Sequence, residues 1–209
     1  MHWKRALTDA WVLAKDLIIN LMTKHNKTYN FWPRYKLHLM LTLLSIIVAS
    51  CTQQDIDNAT TQQETQIETY IKDLGAENVV VNSGVWRAVI ELGKEGLENE
   101  VVKGDSIVYN YAAYLFSSGK GYLFDTNVLD LAEVSGIGYD YSYFVPRKEV
   151  VGKGKLISGL DIGLIGARVG ERCYVVFSAR HGFGNVQIGM IPKMSPLLIE
   201  VWIKEVKKN

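Results

Sequence analysis

The chain has 209 residues, with Lys+Arg 23 against Asp+Glu 22 and 48% hydrophobic residues, which fits one domain of ordinary size plus a tail and excludes wholesale disorder. Two cysteines exclude a disulfide-rich scaffold and a four-thiolate zinc site, and four scattered His residues show no metal-ligand spacing, so no metal or other cofactor is expected. A net charge of +1 gives no footing for a nucleic-acid partner.

That balance hides an asymmetry: residues 1–51 carry +5 and the remainder −4. A basic leader before a mildly acidic body is the layout of an export signal. The first 30 or so residues hold an amphipathic stretch (Trp11, Leu13, Leu17, Ile18, Leu21). Leu37–Ala49 is then an apolar run of 13 residues behind Arg34 and Lys36, shorter than the ~20 residues a membrane-spanning helix needs. It ends in Val48-Ala49-Ser50-Cys51, which resembles the lipobox of bacterial lipoproteins. The resemblance implies a diacylglycerol on the Cys51 thiol, cleavage before it, and a membrane contact through that lipid. Thr52, where an aspartate would retain the protein, implies the outer membrane.

Residues 52–62 are polar and lack apolar periodicity, so they read as a flexible tether. Ile67, Tyr70, Ile71 and Leu74 recur at helical spacing, giving a short helix over about 62–75 that Gly75 ends. Val79–Val81, Asn82-Ser83-Gly84 and Val85–Glu91 read as strand, turn, strand, with Gly93 and Gly96 breaking the pattern. The helix and this hairpin form an extension over 63–99, ahead of a domain over 100–209. In that domain Ile107–Phe116 and Cys173–Phe177 are rich in β-branched and aromatic residues. Leu197–Val206 alternates, with Leu197, Ile199, Val201 and Ile203 on one face and Glu200 and Lys204 on the other, the mark of a half-solvated antiparallel strand. Leu156–Val169 has apolar residues at helical spacing, bracketed by Gly159 and Gly166. One short helix among antiparallel strands gives an α+β class, a curled sheet wrapped on a central helix.

Three blocks carry a resemblance over about residues 100–206. The first is Val108-Tyr109-Asn110-Tyr111, then the turn Gly119-Lys120-Gly121, then Phe124-Asp125-Thr126. The second runs from Val151-Gly152 through Leu156-Ile157-Ser158-Gly159-Leu160-Asp161 to Gly163-Leu164 and Val169-Gly170-Glu171-Arg172. The third is Gly182-Phe183-Gly184, Ile191-Pro192 and Leu197-Leu198-Ile199-Glu200-Val201. Together they resemble the FKBP-type peptidyl-prolyl cis-trans isomerases, and with the leader, the lipoprotein branch that includes gliding-motility-associated members.

The resemblance implies an enzyme acting on X–Pro bonds of envelope polypeptides. It implies that Tyr111, Phe124, Asp125 and Ile157 carry the chemistry and that Leu156, Leu160, Phe183 and Ile199 bind substrate. Four positions depart from the family pattern. Leu160 stands where many members have Trp, Phe183 replaces a tyrosine, Ile199 replaces a phenylalanine, and an ungapped reading from Pro146 puts Arg147 where a phenylalanine flanks the pocket. The expectation is a less aromatic pocket with weak turnover; the alternative is a non-catalytic binding or chaperone lipoprotein. Cys173 reads as a small buried hydrophobe, His181 as a solvated loop residue, and Lys148, Lys153 and Lys155 as a solvated edge.

Overall fold

The computed structural model describes residues 33–209 except Tyr139, with side chains from Gln53 onward. The amphipathic stretch around Trp11–Leu21 and the side chains of the apolar run and of Cys51 lie outside the described residues.

Helix α1 runs over Pro33–Asp73, so residues 52–62 are helical and the expected tether and short helix are one longer element. No glycine or proline interrupts the segment after Pro33. Its threonines find partners within the helix: the hydroxyls of Thr60, Thr61, Thr65 and Thr69 each donate to the carbonyl four residues back, at 2.8–3.0 Å. The helix stops at Gly75, whose φ of 64° is cheap only for glycine. Among the described residues no helix is long and apolar enough to cross a membrane.

The strands are β1 (Asn78–Asn82), β2 (Val85–Glu91), β3 (Ser106–Phe116), β4 (Lys120–Thr126), β5 (Arg147–Val150), β6 (Arg172–Phe177) and β7 (Leu197–Lys207). They form one antiparallel sheet in the order β1-β2-β6-β7-β3-β4, with β5 also on β3. Strand β3 is the spine. One edge pairs with β7 over residues 106–115; the other is shared, β5 taking residues 106–109 and β4 residues 112–116. Two further helices are short, α2 (Leu129–Ser135) and α3 (Ser158–Gly163).

Period-two alternation sorts the side chains into two layers. Ile107, Tyr109 and Ala113 of β3, Cys173, Val175 and Phe177 of β6, and Leu197, Ile199, Val201 and Ile203 of β7 face α3, with Leu160 and Leu164. Ala112, Tyr114 and Phe116, Val176 and Leu198 face the other way and pack on Ile67 and Ile71 of α1. The α+β class and the central helix stand as expected. The helix is shorter, six residues, and Gly159 lies inside it rather than at its border.

The polar face of β7 is solvated at Lys204 but not at Glu200. Glu200 is 2% exposed, ion-paired with Lys120 and, at 2.7 Å, with Arg172. The helix α1 layer covers this face near Glu200, and two cations meet the carboxylate that is buried there. Alternation reported the direction of the side chain correctly but not what covered it. Cys173 is free and fully buried, and Lys148, Lys153 and Lys155 are exposed.

Candidate functional site

The residues expected to form a site come together on the α3 side of the sheet. Leu160 and Ile199 belong to the buried layer there, and Tyr111, Phe124, Leu156, Ile157 and Phe183 pack against it half-buried. They arrive from six places: the spine strand, β4, the approach to α3, α3 itself, β7, and the turn after the 3-10 segment Ala179–His181.

Phe124 and Asp125 are neighbours in sequence, and a regular strand would send them to opposite faces. A β-bulge resolves this. Ala113 pairs with Asp125 but Tyr114 with Leu123, so Phe124 is the extra residue and the strand re-aims there. Phe124 then joins the α3-side layer, and the Asp125 carboxylate reaches Tyr111 on the same side.

The Tyr111 hydroxyl donates to Asp125 Oδ2 at 2.8 Å, the Tyr143 hydroxyl donates to Asp125 Oδ1 at 3.0 Å, and the two phenol oxygens lie 3.0 Å apart. Each phenol has one proton, so with both directed at the carboxylate the contact between them is close packing. Burial pushes the Tyr111 phenol far above the ordinary tyrosine range, and the Tyr143 hydroxyl and the Asp125 carboxylate push it further. Tyr111 is therefore a permanent neutral donor. Burial likewise pushes Tyr109, whose ring lies 6.0 Å from that of Tyr111, up to about 12.

Tyr143 was missed in the sequence because it lies between the first matching block, which ends at Thr126, and the second, which begins at Val151. The available signal was the aromatic run Tyr141-Ser142-Tyr143-Phe144 in a connection, where apolar rings have no core to fill unless the loop folds back. Arg147, which the ungapped reading placed at a pocket flank, lies over the Tyr143 ring with its guanidinium carbon 4.2 Å from the centroid. Replacing Tyr143 by phenylalanine should leave Asp125 Oδ1 short of a donor. We expect a loss of about 1–2 kcal/mol in urea unfolding, since the partner is a carboxylate; an unchanged midpoint would show the bond to be idle.

Asn127 was also missed. At 3% exposure it fills the seam between β4 and β5 on the outer edge of the spine strand. Its Oδ1 accepts the Tyr111 amide at 2.7 Å, and its Nδ2 donates to the carbonyls of Val145 at 2.8 Å and Tyr109 at 3.4 Å. One side-chain amide replaces the missing ladder bonds and fixes the backbone of Tyr111.

Helix α3 is seated by its own loop. The Asp161 carboxylate accepts the amides of Gly152 and Gly154, both at 2.9 Å, which pins the segment leading to Leu156 and Ile157. Ile157 is the last extended residue before the helix, and its carbonyl accepts from Leu160 at 2.9 Å and Asp161 at 3.1 Å. His181 is half-buried rather than solvated, with Nδ1 3.3 Å from the Ser158 hydroxyl.

Residues 98–204 match the family model for FKBP-type peptidyl-prolyl cis-trans isomerase. The chain is 32% identical over 125 residues to FK506-binding protein 1A of Neurospora crassa, covering 57% of this chain and 91% of that protein. It is 35% identical over 112 residues to human peptidyl-prolyl cis-trans isomerase FKBP10, covering 51% of this chain and 16% of that one, and it spans only 7% of FK506-binding protein 5 of Dictyostelium discoideum. Among solved structures, FkpA from Escherichia coli is similar in fold, with a TM-score of 0.51 at 20% identity, covering 98% of this chain and 89% of that chain.

Proposed function

The chain belongs to the FKBP-type peptidyl-prolyl cis-trans isomerases, and on that premise we propose that it isomerises X–Pro bonds of envelope polypeptides where Tyr111, Phe124, Ile157 and Ile199 meet. The observation that carries the reading is the convergence of Tyr111, Phe124, Leu156, Ile157, Leu160, Phe183 and Ile199 on one apolar layer, with Asp125 tied to it by the Tyr111 hydroxyl.

Rotation about an X–Pro bond breaks no covalent bond. The barrier, about 18–20 kcal/mol, is amide resonance. The twisted amide has lost that resonance, and its carbonyl is less polar than the planar one. A surface of aromatic and aliphatic side chains, dry once substrate covers it, therefore favours the twisted state over the hydrated ground state. Phe124, Ile157 and Leu160 would supply that surface. The backbone N–H of Ile157, at the start of α3, would hold one substrate carbonyl. Tyr111, bonded to Asp125, would form a wall, and the raised Tyr111 phenol keeps its proton across the physiological pH range.

We further propose that lipidated Cys51 anchors the chain in the outer membrane. The apolar run, its basic flank and the small residues before the cysteine support this. Mass spectrometry of the protein purified from membranes tests it: a diacylglyceryl cysteine at residue 51 is expected, and an unmodified thiol there overturns it.

A coupled cis/trans assay on an X–Pro peptide tests the activity, with acceleration in proportion to protein concentration expected. A rate equal to the uncatalysed one would leave the binding or chaperone reading, in which the same layer holds a client without turnover. Phe183→Tyr restores a hydroxyl donor at the rim. One added neutral hydrogen bond of about 1 kcal/mol should raise kcat/KM about fivefold. No change would show that position 183 does not touch substrate.

A further inference from the structure

Strand β1 is the end of the sheet, and β2 is its only strand partner among the described residues. Its sequence is Asn-Val-Val-Val-Asn, and all five residues are exposed, Val79 at 38%, Val80 at 43% and Val81 at 57%. A bare, uncharged, β-branched edge is what sheet proteins avoid, because its free amides and carbonyls recruit other strands. The devices that normally blunt an edge are missing here. There is no lysine, proline or bulge in β1, and its register against β2 is unbroken over all five pairs.

The hairpin fixes which groups are free. Ser83 and Gly84 have φ of 51° and 79°, a two-residue turn closed by the hydrogen-bonded pair Asn82 and Val85. Antiparallel pairing alternates, so Asn82, Val80 and Asn78 spend their backbone groups on β2. Val79 and Val81 direct theirs outward.

The free groups are symmetric about Val80, and so is the sequence. We propose that two copies of the chain join antiparallel through β1, with a two-fold axis at Val80. Val79 then faces Val81 of the other copy, and both such pairs are hydrogen-bonded, four bonds in all. Val80 faces its own counterpart as a non-hydrogen-bonded pair, and Asn78 faces Asn82. No charge meets a like charge. Such an interface is closed, because it consumes the β1 edge of each copy and ends at two. Pairing of β1 with the opposite edge of another copy would instead grow a filament, and that edge carries Lys120 and Asp125 on β4.

Site-specific cross-linking tests the axis, on the full chain in detergent with Cys51→Ser, where the remaining native thiol, Cys173, is buried. In a non-hydrogen-bonded pair the facing residues approach most closely, with Cα atoms about 4.5 Å apart, inside the range a disulfide spans. Val80→Cys should therefore give a covalent dimer as the main product of mild oxidation, and Asn82→Cys, whose counterpart lies four residues off the pair, should not. Val81→Pro removes an outward donor while sparing the bonds to β2. It deletes two of the four bonds by symmetry and should weaken dimerisation at least about tenfold in sedimentation velocity. Cross-linking of Val80→Cys no better than Asn82→Cys, adducts with other polypeptides in place of the dimer, or a Val81→Pro dimer as tight as the parent each overturn the proposal.

Discussion

Arg87→Met should destabilise the domain by about 3–5 kcal/mol, read as a fall in the denaturant midpoint at unchanged slope. Arg87 of β2 and Glu171, in the turn before β6, are each 4% exposed and form an ion pair on the α3 side of the sheet. Glu171 also accepts the Arg168 amide at 3.2 Å, so the carboxylate closes the turn as well as pairing the cation. Removing the guanidinium strands a carboxylate away from water, which costs far more than the pair contributes. The same logic gives the control. Arg87→Met combined with Glu171→Leu removes both charges, and most of the loss should be recovered, because a buried pair replaced by apolar groups of similar volume is near neutral. A single variant within 1 kcal/mol of the parent would mean that water reaches Glu171.

Gly159→Ala is the second large effect, and it runs against helix propensity. Alanine is the better helix former by about 1 kcal/mol. Yet a Cβ at Gly159 would overlap the Phe177 ring, and one at Gly163 would overlap Val175 Cγ1. These two glycines, one turn apart, let α3 lie directly on β6. Phe177 is fully buried and has nowhere to move. Overpacking of this kind costs about 1–3 kcal/mol or more. Because α3 would be lifted from the sheet together with Ile157 and Leu160, the isomerase rate should fall by more than the folded fraction does. A stable, fully active Gly159→Ala chain would show that the helix position is not what sets the site.

The sequence was enough to place β7 by its alternation, the spine strand and β6 by their β-branched and aromatic content, and the β1–β2 hairpin by the turn between its two runs. Tyr111, Phe124, Ile157 and Ile199 were legible as a group only through spaced motifs that match a family. Three features were not legible, for separate reasons. The bulge at Phe124 depends on pairing with another strand, which no local window contains. Helix α1 extends back through a run of Thr and Gln residues that shows no apolar periodicity, and only its end, where Ile67 and Ile71 pack on the sheet, carried a spacing to read. Glu200 looked solvated because alternation reports direction, not cover. Tyr143 was hidden because it lies between two matching blocks, in a connection that neither of them covers.

The amide of Asn127 has a further consequence. The chain leaves the sheet at Thr126 and returns at Arg147, and this one side chain grips both the departure, through Tyr111, and the return, through Val145. The excursion between them, with α2 at its start, is clasped at its neck like a pendant. Its later part is tied to the wall as well, since the Tyr143 hydroxyl donates to Asp125 at 3.0 Å. Changes of length around α2 are therefore tolerated where the clasp and the Tyr143 contact both survive, and Tyr111 then keeps its place.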